Sequence, residues 1–262
     1  MDLKMLKLKN NFLFGTLFTL FSASSFASER IADIQFSDNN FRNCVQTQAS
    51  TNNWTYTDQV TELSCAQAMI RQVDELKYFQ SLEKLNLSLN YIEDIDVTQN
   101  KQLTRLELSA NKITDINLQK NTQLETLYMS MNDINSINLS KNTQLKVLSM
   151  IGNKLYSADL SKNDKLTYVD LGRNQISWVF LPTNGAITEL SLSNNNLSTL
   201  NTDNLTDLRV LRLASNNLKS LSISKNPNLM LLNVKSNPLN ESTKQELKSI
   251  HAIYNFIFLK DF

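Results

Sequence analysis

The segments LEKLNLSLNYIEDIDVTQNKQ (82–102), LTRLELSANKITDINLQKNTQ (103–123) and LETLYMSMNDINSINLSKNTQ (124–144) are copies of one another. Further units open at Leu145, Leu166, Ile187 and Leu208, and a truncated one opens at Leu229. Seven full units and one partial unit keep a single 21-residue register over 82–239 without an insertion. A period of this length marks a solenoid. Each unit is too small to bury its own apolar face and does so by stacking on its neighbours.

The columns of the repeat explain the stacking. Each unit opens on Leu, with Ile187 the exception. Three residues on stand Leu85, Leu106, Leu127, Leu148, Val169, Leu190, Leu211 and Leu232. Two beyond those stand Leu87, Leu108, Met129, Met150, Leu171, Leu192, Leu213 and Val234. A spacing of two puts both columns on one face of a strand, so each unit offers one short strand and the strands pair in parallel. An Asn then follows in every unit: Asn90, Asn111, Asn132, Asn153, Asn174, Asn195, Asn216 and Asn237. An amide both donates and accepts. It can satisfy backbone groups buried where the chain turns inward and join successive coils in a ladder. A glycan or metal ligand is the competing role, but a ladder accounts for all eight at once.

A second apolar cluster closes each coil: Ile92, Ile95 and Val97, then Ile113, Ile116 and Leu118, then Ile134, Ile137 and Leu139. Its spacing is again strand-like, with Asp96, Asn117, Asn138 and Asp159 pointing outward. The convex side is therefore expected to carry short extended segments.

This LxxLxLxxN arrangement resembles the leucine-rich-repeat superfamily, and the 21-residue unit with its return strand is similar to the internalin-type bacterial repeats. The resemblance implies a leucine-rich-repeat solenoid with a parallel concave sheet. It implies a scaffold for binding and names no partner, because such proteins bind unrelated targets.

Solenoid ends need caps. Residues 28–81 form the expected N-terminal cap, with Val60, Leu63, Cys65, Ile70 and Val73 as a divergent first repeat. Cys65 takes the inward position that Leu87 holds in the next unit. Residues 38–49 read as a short helix with Asp38 as N-cap and Phe41, Cys44, Val45 and Gln48 on one face. A Cys44–Cys65 disulfide would staple that helix to the first strand; the alternative is two separate buried thiols. Trp54 and Tyr56 are expected to pack in the same cap. Residues 240–262 form the C-terminal cap: a helix over 241–250 and a strand over 252–260 that closes the sheet edge. His251, the one histidine, is expected at its surface.

Residues 1–27 read as a Sec-type signal peptide. Lys4, Lys7 and Lys9 precede an apolar core, FLFGTLFTLF (12–21), and Ser25 and Ala27 precede the cut. That core is half of the ~20 residues a membrane span needs. The protein is thus expected in the periplasm or outside the cell, where an even cysteine count favours a disulfide. The chain holds 26 basic and 25 acidic residues, and removing residues 1–27 leaves 23 and 24. That balance argues against a nucleic-acid or membrane-surface footprint. A single histidine, no nucleophile–base arrangement, no phosphate-binding glycine loop and no zinc-type cysteine spacing argue against an enzyme, a metal or a cofactor. The expectation is a monomeric, non-catalytic module that binds a protein.

Residues between the inward columns face outward on the concave side. Aligned by unit, Tyr128, Met131, Val147, Ile151 and Tyr168 cluster over the third to fifth units. Arg105, Glu107, Asp170, Arg173, Glu189 and Arg212 surround them. An apolar, aromatic centre with a charged rim is the anatomy of a protein-binding patch, although single apolar residues are also common at exposed sites. Tyr156, Trp178 and Phe180 form a second candidate, on the convex side, suited to stacking on sugar rings or an envelope polymer. The competing expectation is that FLPTNG (180–185) folds back and covers these aromatics.

Overall fold

Alternation of inward aliphatic and outward polar residues gives every unit one three-residue strand. These are β2 (Lys84–Asn86), β3 (Arg105–Glu107), β4 (Thr126–Tyr128), β5 (Val147–Ser149), β7 (Tyr168–Asp170), β9 (Glu189–Ser191), β10 (Val210–Arg212) and β11 (Leu231–Asn233). The divergent first repeat adds β1 (Glu62–Ser64) and the C-terminal cap adds β12 (Ile257–Leu259). In this computed structural model, which describes residues 28–183 and 186–262, the ten form one parallel sheet in chain order. Residues 1–27, expected to be a signal peptide, lie outside the described residues, as do Asn184 and Gly185. No described helix is long and apolar enough to cross a membrane.

Register is strict: Leu63, Leu85, Leu106, Leu127 and Leu148 stand side by side. The inward columns are buried along the whole stack, as are Ile92, Val97, Ile113, Leu118, Ile134 and Leu139 from the return side; Ile95 and Ile137 are partly covered. Each buried Leu or Ile contributes about 1.5–3 kcal/mol. The return segments are extended, as expected. Two of them form a further parallel pair, β6 (Ser157–Asp159) with β8 (Trp178–Phe180).

The asparagine column works as a ladder. Asn132 Oδ1 accepts from Ile113 N (3.0 Å), and its Nδ2 donates to Leu108 O (3.0 Å) and Met129 O (3.1 Å). Asn111 repeats this with Ile92 N, Leu87 O and Leu108 O. One amide thus satisfies three backbone groups spread over two coils. The residue just before each of these Asn is left-handed: Leu89, Ala110, Met131, Gly152, Arg173, Asn194, Ser215 and Ser236. Only one is glycine. A side chain in that conformation costs about 1 kcal/mol or more, and the clamp of the following Asn holds it in place.

A second ladder runs through the return segments, outside the expected column. Asn121 Nδ2 donates to Val97 O and Asn100 O (both 2.9 Å), and Asn142 Nδ2 donates to Leu118 O (3.0 Å) and Asn121 O (2.9 Å). Asn100, Asn163 and Asn226 do the same, and all five are buried. The outward residues Asp96, Asn117, Asn138 and Asp159 are structural as well. Each side chain accepts the backbone N–H two residues on, which fixes the turn.

At the N-terminal cap, α1 (Asn39–Asn52) forms where expected and Cys44 is bonded to Cys65. Gln48 Nε2 reinforces the join by donating to Ser64 O at 2.7 Å. Trp54 packs against the core, but Tyr56 remains exposed, because its backbone bridges to Arg30 and its ring is left outside. Asp38 caps α1 through Asn40 N and Phe41 N and also accepts from Arg71 N and Gln72 N. Partial burial alone would raise its pKa, yet the bonds from Arg71, Phe41, Asn40 and Gln72 together hold it below the ordinary value. A depressed carboxyl adds stability above the unfolded pKa and loses it as pH falls through the folded one. Asp38→Ala is therefore expected to lose about 1 kcal/mol at pH 7. The gap to the native protein should shrink as acid protonates Asp38, which unfolding midpoints at pH 7 and pH 3 would check.

At the C-terminal end the helix-then-strand cap forms as expected, and three details of it are corrected. The helix α2 runs Glu241–Tyr254, beyond residue 250, so residues 252–254 are helical and the strand shortens to β12. The left-handed Asn255 ends the helix and reverses the chain. The cap also does not close the sheet edge: β12 pairs with β11 on one side and becomes the new edge. His251 is half-buried against Phe256 and Phe258, not at the open surface.

Candidate functional site

The outward face of the ten-stranded sheet carries two straight rows of side chains. The first runs Lys84, Arg105, Thr126, Val147, Tyr168, Glu189, Val210 and Leu231, ending on Ile257. The second runs Asn86, Glu107, Tyr128, Ser149, Asp170, Ser191, Arg212 and Asn233, ending on Leu259. The parallel register therefore brings Tyr128, Val147 and Tyr168 onto three adjacent strands. Ser149 and Ser191 are buried in the second row, so the larger neighbours stand proud of them.

Ion pairs fix the rim. Arg105 Nε donates to Glu107 Oε1 at 2.6 Å, and the Arg105 guanidinium lies 5.2 Å from the Tyr128 ring centre. Arg212 and Glu189 approach to 3.7 Å on the far side. Burial raises the pKa of Tyr168 above the ordinary phenol value; Asp170 and Glu189 add to the rise and Arg212 opposes it. The phenol thus stays neutral, a donor set between carboxylates. Ser130 and Ser149 hydroxyls bond across neighbouring coils at 2.9 Å. Ile151 stands two residues after the end of β5, whereas Met131 and Arg173 occupy the left-handed turn and are exposed at the border of the patch. All eleven sheet-side candidates thus lie on or beside two rows, but only the strand residues share the face itself.

The convex trio is exposed, against the expectation that residues 180–185 fold back and cover it. Trp178 and Phe180 sit on β8 with ring centres 4.9 Å apart, and Tyr156 immediately precedes β6. Trp178 is 49%, Phe180 57% and Tyr156 59% exposed. Within the described residues, the chain after Phe180 does not cover them; Leu181 and Pro182 turn inward instead. Among the described residues no three of His, Cys, Asp and Glu gather as a metal-binding group.

The end of the sheet face holds residues that the repeat pattern does not single out. Val210, Leu231 and Ile257 are consecutive in the first row, with Leu259 beside them in the second. Ile257 and Leu259 fall outside the 21-residue register, so no column points to them.

No family model matches the sequence, and no curated protein matches it. Solved structures do. The functional domain of InlJ from Listeria monocytogenes aligns with a TM-score of 0.65 and 24% identity, covering 82% of this chain and 53% of that one. Internalin C2 from the same organism aligns with a TM-score of 0.63 and 23% identity, covering 91% of this chain and 100% of that one. The fold is an internalin-like leucine-rich-repeat solenoid. A third similar structure is the leucine-rich-repeat ectodomain of the plant membrane receptor kinase GASSHO1/SCHENGEN3 from Arabidopsis thaliana, solved in complex with Casparian strip integrity factor 2. It aligns with a TM-score of 0.60 and 24% identity, covering 72% of this chain and 25% of that one. The chain thus spans about half of the InlJ domain and a quarter of the plant ectodomain.

Proposed function

We propose that this leucine-rich-repeat protein is an exported, non-catalytic module that recognises a protein partner with the concave face of its sheet, centred on Tyr128, Val147 and Tyr168. The observation that carries this reading is the placement of those three residues on adjacent strands, Val147 and Tyr168 in one row and Tyr128 in the other, between the Arg105–Glu107 and Glu189–Arg212 pairs. Aromatic groups held on rigid strands inside a charged rim concentrate binding energy in a few residues. The plant ectodomain, solved with its polypeptide partner, supports a protein ligand by analogy of fold. Export rests on the signal-like segment 1–27 and on the disulfide, which persists in oxidising compartments.

The test is quantitative affinity capture from cell-envelope and extracellular fractions. The variant carries Tyr128→Asp, Val147→Asp and Tyr168→Asp. Loss of a central anchor of this kind costs ~2 kcal/mol or more, about thirtyfold in affinity. If every protein captured by the native chain is captured equally by the variant, the reading fails.

The exposed, stacked pair Trp178–Phe180 with Tyr156 favours a second reading, a glycan or envelope polymer bound on the convex side. A glycan array should then show binding that Trp178→Ala abolishes. No binding, or binding that survives the substitution, removes it.

A further inference from the structure

Counted from β1, the two rows of the sheet face hold seven charged side chains. Six of them form three ion pairs: Lys84 with Glu62, Arg105 with Glu107 and Arg212 with Glu189. The seventh is Asp170 on β7, which has no ion-pair partner among the described residues. The odd charge thus stands in the middle of the face.

The fold does not require a charge there. Asp170 Oδ1 accepts from Gly172 N at 3.0 Å. Asn86 makes the same turn bond with Ser88 N at 3.0 Å, and Asn233 makes it with Lys235 N at 3.2 Å, at the equivalent position of other coils. A neutral amide serves that turn equally well. The second carboxylate oxygen of Asp170 makes no hydrogen bond among the described residues, so it remains available as an acceptor.

The surroundings make a basin of that position. Ser149 and Ser191 flank Asp170 along its row, and both are buried. Gly172 deepens the floor, since a Cβ on it would come within 3.2 Å of Asp170 Oδ1 and 3.3 Å of Ser193 O. Tyr168 rises on the same strand in the first row, and Tyr128 stands two strands away, ~10 Å across the sheet. The face already receives one cation in this manner: the Arg105 guanidinium lies 5.2 Å from the Tyr128 ring centre.

We propose that the protein partner seats a lysine or arginine side chain in this basin, its cationic head on Asp170 and its aliphatic stem against Tyr168 and Val147. The proposal rests on the concave-face reading and specifies the chemistry that face selects. An apolar partner would cover Asp170 and leave a desolvated charge without compensation. An acidic one would meet both Asp170 and Glu189. A cation alone completes the charge pairing of the rows.

Peptides selected from a random displayed library on the purified protein supply the probes. They should be enriched in Lys or Arg. Replacing that residue with norleucine should weaken binding about tenfold or more, the range for a close charge pair. Asp170→Asn should weaken the selected peptide as much and the norleucine peptide no further, because both changes remove one contact. Its circular dichroism spectrum should be unchanged, since Asn makes the same turn bond at Asn86 and Asn233. Asp170→Lys should turn the selection toward acidic peptides. Peptides that lose binding to the Tyr128, Val147 and Tyr168 triple variant, yet carry no basic residue or ignore Asp170→Asn, overturn this proposal and leave the concave-face reading standing. Losses that add across the two changes overturn it as well, and so does a library that yields no binder. Peptides indifferent to both the triple variant and Asp170→Asn overturn both readings.

Discussion

Asn132→Ala is expected to destabilise the protein by about 3 kcal/mol or more, the cost of leaving buried backbone groups without partners. The substitution strips Ile113 N of its acceptor and Leu108 O and Met129 O of a donor, in the middle of the stack where water does not reach. Because each coil contacts only its neighbours, the damage also weakens coupling between the two halves. Urea unfolding should show a lower midpoint and a broader transition. Asn237→Ala, at the half-exposed end of the same ladder, should cost about 1 kcal/mol, because solvent can replace the lost bonds. Asn132→Asp sharpens the test. It keeps the acceptor but aims a second oxygen at two carbonyls, so the buried carboxyl is disfavoured in its charged form and its folded pKa rises. The folded state then binds more protons than the unfolded one, and stability falls as pH climbs above the unfolded value. Asn132→Asp should lie nearest the native protein in acid and furthest from it at neutral pH. A loss below about 1 kcal/mol for Asn132→Ala would show that the ladder is not what holds the coils together.

Breaking Cys44–Cys65 is the second large effect. The bridge spans 21 positions of sequence, and a loop of that length gives about 3 kcal/mol of stabilisation on the chain-entropy estimate. Reduction should therefore lower the unfolding midpoint and release α1 first, since beyond the disulfide it is held mainly by Phe41, Val45, Ala49, Asp38 and the Gln48–Ser64 bond. Trp54 packs beside this cap, so its fluorescence should report the release at lower urea than the far-ultraviolet signal of the repeats. Coincident transitions, or a midpoint indifferent to reductant, would deny the staple its role.

The repeat is legible because its columns are dictated by burial: Leu85, Leu106 and Leu127 can only be core, and the period follows. The first Asn column is legible for the same reason. The second, Asn100 to Asn163, recurs just as regularly, but Asn is so abundant in the return segments that its regularity looks like surface composition. Residues 252–254 read as strand because Ala252, Ile253 and Tyr254 lie in an apolar run; the helix runs on to Asn255, whose left-handed backbone makes the turn. Register alone places the concave candidates on the right rows. What register does not encode is the orientation of non-repeating chain, which is why the exposure of Trp178 and Phe180, and the continuation of the sheet face through Ile257 and Leu259, emerge only in three dimensions.

The insertion-free register has one more consequence. Excising residues 103–123 would join Gln102 to Leu124 and hand Asn132 the partners Asn111 had, Ile92 N and Leu87 O. Every bond of the ladder survives such an edit, and so does the reverse edit, a duplication. The distance between the two caps would change by one strand, ~4.8 Å, each time. A change of one residue, by contrast, alters the length of a single coil, as in the first, where Leu63 and Leu85 pair 22 residues apart. Changes of a whole 21-residue unit keep both the coil length and the ladder, and the molecule is in effect a ruler graduated in units of one strand.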